Sequence, residues 1–296
     1  MSSIPSAEPA QRPRRSVLYV SGANARALEK ARSLPADAVI LDLEDAVAPQ
    51  DKAQARASVL AALGLDWGGR ERVVRVNGWD TAWGRDDLAA LARAATAGVG
   101  ADAVLLPKVE DPAALAQAAA VLRAAGAGTP ALWAMIETPR AILNLAAIAG
   151  GHPQLACLVM GTSDLVKDLR ARHTADRAAS LAALSMTVIA ARAHGLAVLD
   201  GVHLTLQDDA GLRAACLQGR DLGFDGKTVI HPAQLAIANE VFGPSPDEIA
   251  LARKQVAAWQ AAGERGVVVV DGVLVEHLHV SEARRLLALA DTIAGD

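Results

Sequence analysis

"AVILDLEDAVAPQDKAQARASVLAAL", residues 38–63, decides the fold. It opens on a β-branched run, apolar on both faces, that reads as a strand, "AVILDL" (38–43). After Pro49 comes "DKAQARASVLAAL" (51–63), an Ala/Leu-rich stretch that reads as a helix. A strand apolar on both faces belongs to a parallel sheet covered by helices. At its C-terminal end stand Asp42, Glu44 and Asp45. Three carboxylates in four positions repel one another and are costly to bury, so the cluster demands positive charge nearby.

The same unit recurs along the chain. Further strands are read in "SVLYV", "RVVRVN", "AVLLPK", "LWAMIE", "CLVMGT", "AVLDGV" and "TVIHP", each followed by a helical stretch. Eight strand–helix units predict a (β/α)8 TIM barrel. A doubly wound sheet would carry an early GxGxxG, and the chain has none. Three regions are expected: a disordered leader at 1–14, the barrel at 15–243, and a helix–hairpin–helix extension at 244–296. The hairpin is signalled by Asp-Gly in "VVVVDGVLV", and the extension is expected to cap the barrel or reach a neighbouring subunit. One helix is expected to fill "ADRAASLAALSMTVIAARAHG" (175–195).

Net charge is −4, with acids and bases interspersed. No basic stripe points to nucleic acid, and no apolar run is long enough to span a membrane. The N-terminus lacks the apolar core of a signal peptide, so a cytoplasmic protein is expected. Cys157 and Cys216 lie in apolar segments and read as buried free thiols.

Barrel active sites sit at the C-terminal ends of the strands. There the chain reads "DLED", "RVNG", "PKVE", "IETPR", "GTSD", "LDGVH" and "IHP", rich in ionisable groups, while the opposite ends read as mostly small or apolar. Glu137 and Asp164 close adjacent strands, and two such carboxylates can share Mg²⁺. The alternative is that each caps its following helix. Arg75 can grip a carboxylate or a developing oxyanion, pair with the acids of the neighbouring strand, or do both. Lys108 can form a Schiff base or simply offset the acids, and the second use is favoured. His231 can donate to substrate or serve the fold.

"SVLYVSGAN", "VILDLEDAVAPQDKAQAR", "RVNGWDTAWGRDDL", "LLPKVE", "MIETPRAILN", "GTSDL", "GFDGKTVIHPAQ" and "VVDGVLVE" occur in this order. Together they resemble the citrate lyase β-subunit and malyl-CoA lyase branch of the HpcH/HpaI aldolase family, over about residues 14–290. The resemblance implies a trimeric or hexameric barrel that cleaves a C–C bond beside a CoA thioester. It implies Glu137 and Asp164 as Mg²⁺ ligands, Arg75 as the contact to the acid substrate and thioester oxygen, and Glu44 and Asp45 as the acidic pair beside the metal. Tyr19, Lys30, Ser163 and His231 join them in binding substrate. Glu44 and Asp45 are expected to orient Arg75, whereas Asp42, one layer deeper, is given no catalytic part. From the hairpin, Glu276 is expected to act as acid/base in a neighbouring subunit.

The expected function is a Mg²⁺-dependent lyase that releases acyl-CoA and a keto acid from malyl-CoA, citramalyl-CoA or citryl-CoA. The alternatives are a malyl-CoA-type thioesterase on the same scaffold, a class II aldolase acting without CoA, and a silent subunit of a lyase complex. The chain departs from the family pattern at Ser21, where many relatives have Pro, and at Ser163, where many have Glu. On the hairpin Glu276 and Leu278 replace the usual Asp and Pro.

Overall fold

Residues 12–124, 129–264 and 266–295 are described by the computed structural model. Most of the expected leader, residues 1–11, lies outside them. Eight strands form a closed parallel barrel: β1 Ser16–Ser21, β2 Ala38–Asp42, β3 Glu71–Arg75, β4 Ala103–Leu106, β5 Ala131–Ile136, β6 Leu155–Met160, β7 Ala197–Asp200 and β8 Gly226–Val229. Every expected strand is present, and β8 closes on β1. Alternation sorts the side chains. Val17, Ile40, Val73, Leu105, Trp133, Cys157 and Leu199 fill the interior. Their neighbours Leu18, Val39, Leu41, Val74, Val104 and Leu158 pack outward under the helices. Both cysteines are free and buried. Among the described residues no helix is long and apolar enough to cross a membrane.

Two expectations need correction. The helix read from residue 175 begins at Leu181. Before it Arg177 adopts a left-handed φ of 54°, and its guanidinium reaches Asp200 at the end of β7, at 2.7 and 2.8 Å. Asp200 is fully buried and also binds Lys227 at 2.9 Å. A buried carboxylate needs such partners, and meeting them overrides helix propensity in the loop. The N-terminal strand ends are also not apolar. Arg14–Glu71, Arg15–Asp37, Arg72–Asp102 and Arg192–Asp225 pair there. Each carboxylate at that end meets an arginine, which leaves little charge for chemistry.

Arg14–Phe242 make up the barrel unit, and the segment from Gly243 belongs to a second compact unit. In the second, helix Pro246–Ala261 starts with a capping box between Ser245 and Glu248. β9 Val268–Val270 and β10 Val273–Val275 pair antiparallel. Asp271 and Gly272 at the tip both have positive φ, as a two-residue type I′ turn requires. Trp259, Val270, Val275 and Val280 form the small core of this unit. The last helix starts at His277, four residues before the expected start, so Leu278 lies on its first turn. Glu276 directly precedes it and is exposed.

Candidate active site

Strand register brings the charged groups together. Asp42 and Arg75 are direct partners on β2 and β3, both pointing into the barrel mouth. Arg75 Nε and Nη2 donate to the two Asp42 oxygens at 2.7 and 2.6 Å. Nη1 lies 2.8 Å from Glu44 Oε2 and 3.9 Å from Asp45 Oδ2. The guanidinium also sits 4.9 Å from the Tyr19 ring centroid. Burial works against the charged guanidinium, but the bond to Asp42 and the nearby carboxylates outweigh it and raise its pKa.

This corrects the expectation for Asp42. Asp42 holds Arg75 in a bidentate pair and Glu44 faces it as expected, while Asp45 is 64% exposed at the edge. Glu44 is buried, and burial raises its pKa against the opposing fields of Arg75 and Lys108. Its Oε2, though near Arg75, is the one buried carboxylate oxygen among the described residues with no aligned hydrogen-bond donor.

Glu137 continues β5 and is 2% exposed. Capping of the following helix, Pro139–Leu143, falls to Thr138, whose side chain accepts from Ala141 N–H, so Glu137 is free of that duty. Its Oε1 accepts the Lys108 N–H at 2.8 Å. On the other side, a Cβ added at Gly161 would lie 2.5 Å from Oε2. Bare backbone at the end of β6 is therefore required for this carboxylate to fit. Burial, with the charges of Glu44 and Asp164 adding to it, pushes the Glu137 carboxyl up to about 7. Asp164 sits in the first turn of helix Thr162–Asp168, not at its cap, and receives Lys167 Nζ at 3.2 Å.

The mouth thus holds Asp42, Glu44, Asp45, Glu137 and Asp164 against Arg75, Lys108 and, on the outer side, Lys167. Carboxylates exceed cations there, and burial with the neighbouring acids pushes the Glu137 carboxyl up to about 7. A divalent cation held by Glu137 and Asp164 would offset this excess of negative charge. Among the described residues no group of three or more His, Cys, Asp or Glu could hold a metal. Two carboxylates with water and substrate completing the shell is a donor set that suits Mg²⁺.

Other expected residues are less central. Ser163 is half-buried in the same first turn as Asp164, and Tyr19 lines the mouth below Arg75. Lys30 is exposed in the last turn of helix Ala25–Ala31. His231 is exposed and spends Nδ1 on Ala233 N–H, a capping contact. Lys108 carries its ammonium 3.8 Å from Glu44 Oε1. Partial burial opposes its charge, but Glu44, Glu137 and Asp164 prevail and raise its pKa, which disfavours the neutral amine a Schiff base needs.

Sequence reasoning missed the support under Glu44. Lys52 is buried, and its Nζ donates to the carbonyls of Leu43 and Glu44 at 2.8 and 2.7 Å. Asn77 Nδ2 also donates to Leu43 O, and Asp87 holds Asn77 and Arg56. Lys52 and Arg56, four apart on one helix face, were the available signal.

The match to the HpcH/HpaI aldolase/citrate lyase family model spans residues 15–232. A (3S)-malyl-CoA thioesterase of Cereibacter sphaeroides is 54% identical, over 95% of this chain and 96% of that protein. An L-malyl-CoA/beta-methylmalyl-CoA lyase of the same organism is 35% identical, over 97% of each. Among solved structures, CitE from Mycobacterium tuberculosis in complex with magnesium, acetoacetate and coenzyme A superposes with a TM-score of 0.78 at 30% identity. It covers 96% of this chain and 100% of its own. These findings overturn the lyase expectation: the thioesterase stands far nearer in sequence than the lyase, over almost the whole of both chains.

Proposed function

Since this chain belongs to the HpcH/HpaI aldolase/citrate lyase family, we propose that it is a Mg²⁺-dependent thioesterase that hydrolyses a malyl-CoA-type β-hydroxyacyl-CoA to the free hydroxy acid and CoA. The observation that carries the reading is 54% identity to a (3S)-malyl-CoA thioesterase over 95% of the chain. Mg²⁺ bound by Glu137 and Asp164 would supply Lewis-acid polarisation and an anchor for the acid end of the substrate.

The protein's own groups do the rest. Arg75 is locked by Asp42 through Nε and Nη2, and its Nη1, which faces Glu44 at 2.8 Å, is the donor that would stabilise the oxyanion formed when water adds to the thioester carbon. Glu44 takes the proton from that water. Burial raises its pKa against the field of Arg75, which makes it a stronger base than an exposed carboxylate. Collapse of the tetrahedral adduct breaks the C–S bond, and the sulfur leaves with a proton. Tyr19, Ser163 and Asp45 line the approach for the substrate.

We assign the second proton-transfer carboxylate to Glu276, entering from the hairpin of a neighbouring subunit as the family resemblance implies. The protein would then act as a homo-oligomer, which sedimentation measures. The function itself is tested by following free thiol release from malyl-CoA with and without EDTA. Thiol release that requires the metal supports the reading. Consumption of malyl-CoA without thiol release contradicts it.

A further inference from the structure

Lys108 has a φ of 48°. Lysine has no particular tolerance for the left-handed region, where a side chain carrying Cβ is disfavoured by roughly tenfold in population. Strain of this kind persists only where the surroundings hold it, and it gathers at functional sites. Here the surroundings are explicit. Pro107 precedes it and has no N–H to continue the β4 ladder. Val109 N–H then rejoins β5 at Met135 O, 3.3 Å away. Between these two points the chain turns left-handed, and the Lys108 N–H is aimed inward at Glu137 Oε1, at 2.8 Å. Gly161 hems the other oxygen of the same carboxylate.

We infer that Lys108 is a positioning residue for Glu137 and that it acts through its main chain: the left-handed turn fixes the carboxylate rotor for the metal. The ammonium near Glu44 is a separate feature. The inference rests on Glu137 being a Mg²⁺ ligand.

Four variants separate backbone from charge. Lys108→Gly and Lys108→Asn tolerate the left-handed turn, Lys108→Met keeps the backbone cost of lysine, and Lys108→Val is the worst fit. All four lack the ammonium. Mn²⁺ affinity is read by electron paramagnetic resonance on the protein without substrate, alongside the melting temperature. Gly, Asn and Met should bind Mn²⁺ within about threefold of wild type, and Val about tenfold more weakly or worse. Equal affinity in the Gly and Val variants overturns the inference. So does a common loss in all four, which would credit the ammonium. If the wild type binds no Mn²⁺, the metal reading fails first and this inference with it.

Should the Val variant not fold, the amide itself decides. Labelling with ¹⁵N-lysine yields few signals, since the chain has six lysines, and loss of one peak in Lys108→Arg assigns Lys108. That resonance should move when Glu137→Gln is introduced and stay in place with Asp164→Asn. No movement with Glu137→Gln overturns the inference.

Discussion

Replacing Asp42 by Asn strikes a residue that touches no substrate and should still disable the enzyme. Asp42 accepts four hydrogen bonds: from Arg75 Nε at 2.7 Å, Arg75 Nη2 at 2.6 Å, Glu44 N–H at 2.9 Å and Ala46 N–H at 3.3 Å. Asn presents one oxygen and one NH₂. Whichever way it is turned, two of the four donors meet another donor. A hydrogen bond to a charged group is worth about 1.5–3 kcal/mol. Glu44 stays close to the guanidinium, so Arg75 is not left wholly unpaired and the full cost of a broken buried pair does not apply. The net loss should be about 2–3 kcal/mol, or roughly 4–12 °C in melting temperature for a unit of this size. A guanidinium displaced by about 1 Å is enough to lower kcat about 100-fold. KM should stay within about threefold, because the proposed mechanism uses Arg75 in the transition state and anchors the acid end of the substrate through the metal. Thiol-release kinetics and a thermal melt read both. Wild-type kcat in a folded Asp42→Asn protein would refute the claim that Asp42 aims Arg75.

Gly161→Ala should abolish tight Mn²⁺ binding, since the added Cβ would lie 2.4 Å from Glu137 Cβ, and overpacking of this kind costs about 1–3 kcal/mol. Gly100→Ala, with nothing within 4 Å, is the matched control and should bind as wild type. In the metal-free protein, burial raises Glu137 from 4.5 to about 7, so the folded state keeps a proton the unfolded chain has lost. That contribution to stability is full below 4.5 and disappears as pH rises through 7. Metal-free protein should therefore be about 1 kcal/mol less stable at pH 8 than at pH 6, a drop of a few degrees. Saturating Mg²⁺ should remove the difference in parallel melts. Lys52→Met should lower kcat about tenfold by releasing the Leu43 and Glu44 carbonyls, with Lys52→Arg recovering part of it, as steady-state kinetics will measure.

The barrel was legible because parallel strands buried on both faces leave a repeating apolar signature, and strand ends collect chemistry at one rim. Glu137, Asp164, Arg75 and Glu44 were read at that rim in this way. What escaped depended on contacts across the chain. The start of the helix at Leu181 is set by Arg177 reaching Asp200, more than twenty residues away. Asp42 was read as lying one layer deeper with no catalytic part, and only its register partner Arg75 makes it an orienting group. The turn at Lys108 is a matter of backbone handedness, which no side-chain pattern reports. Hydrolysis was not separable from C–C cleavage because a metal site and a thioester groove at the barrel mouth would serve both reactions. The thioesterase and lyase relatives are 54% and 35% identical to this chain.

The central claim is that water attacks the thioester carbon of a malyl-CoA-type substrate. Turnover of malyl-CoA in H₂¹⁸O, with products identified by mass, tests it most directly. Hydrolysis predicts free CoA and malate carrying one ¹⁸O in the carboxylate released from sulfur. Acetyl-CoA and glyoxylate, with no labelled malate, would contradict it.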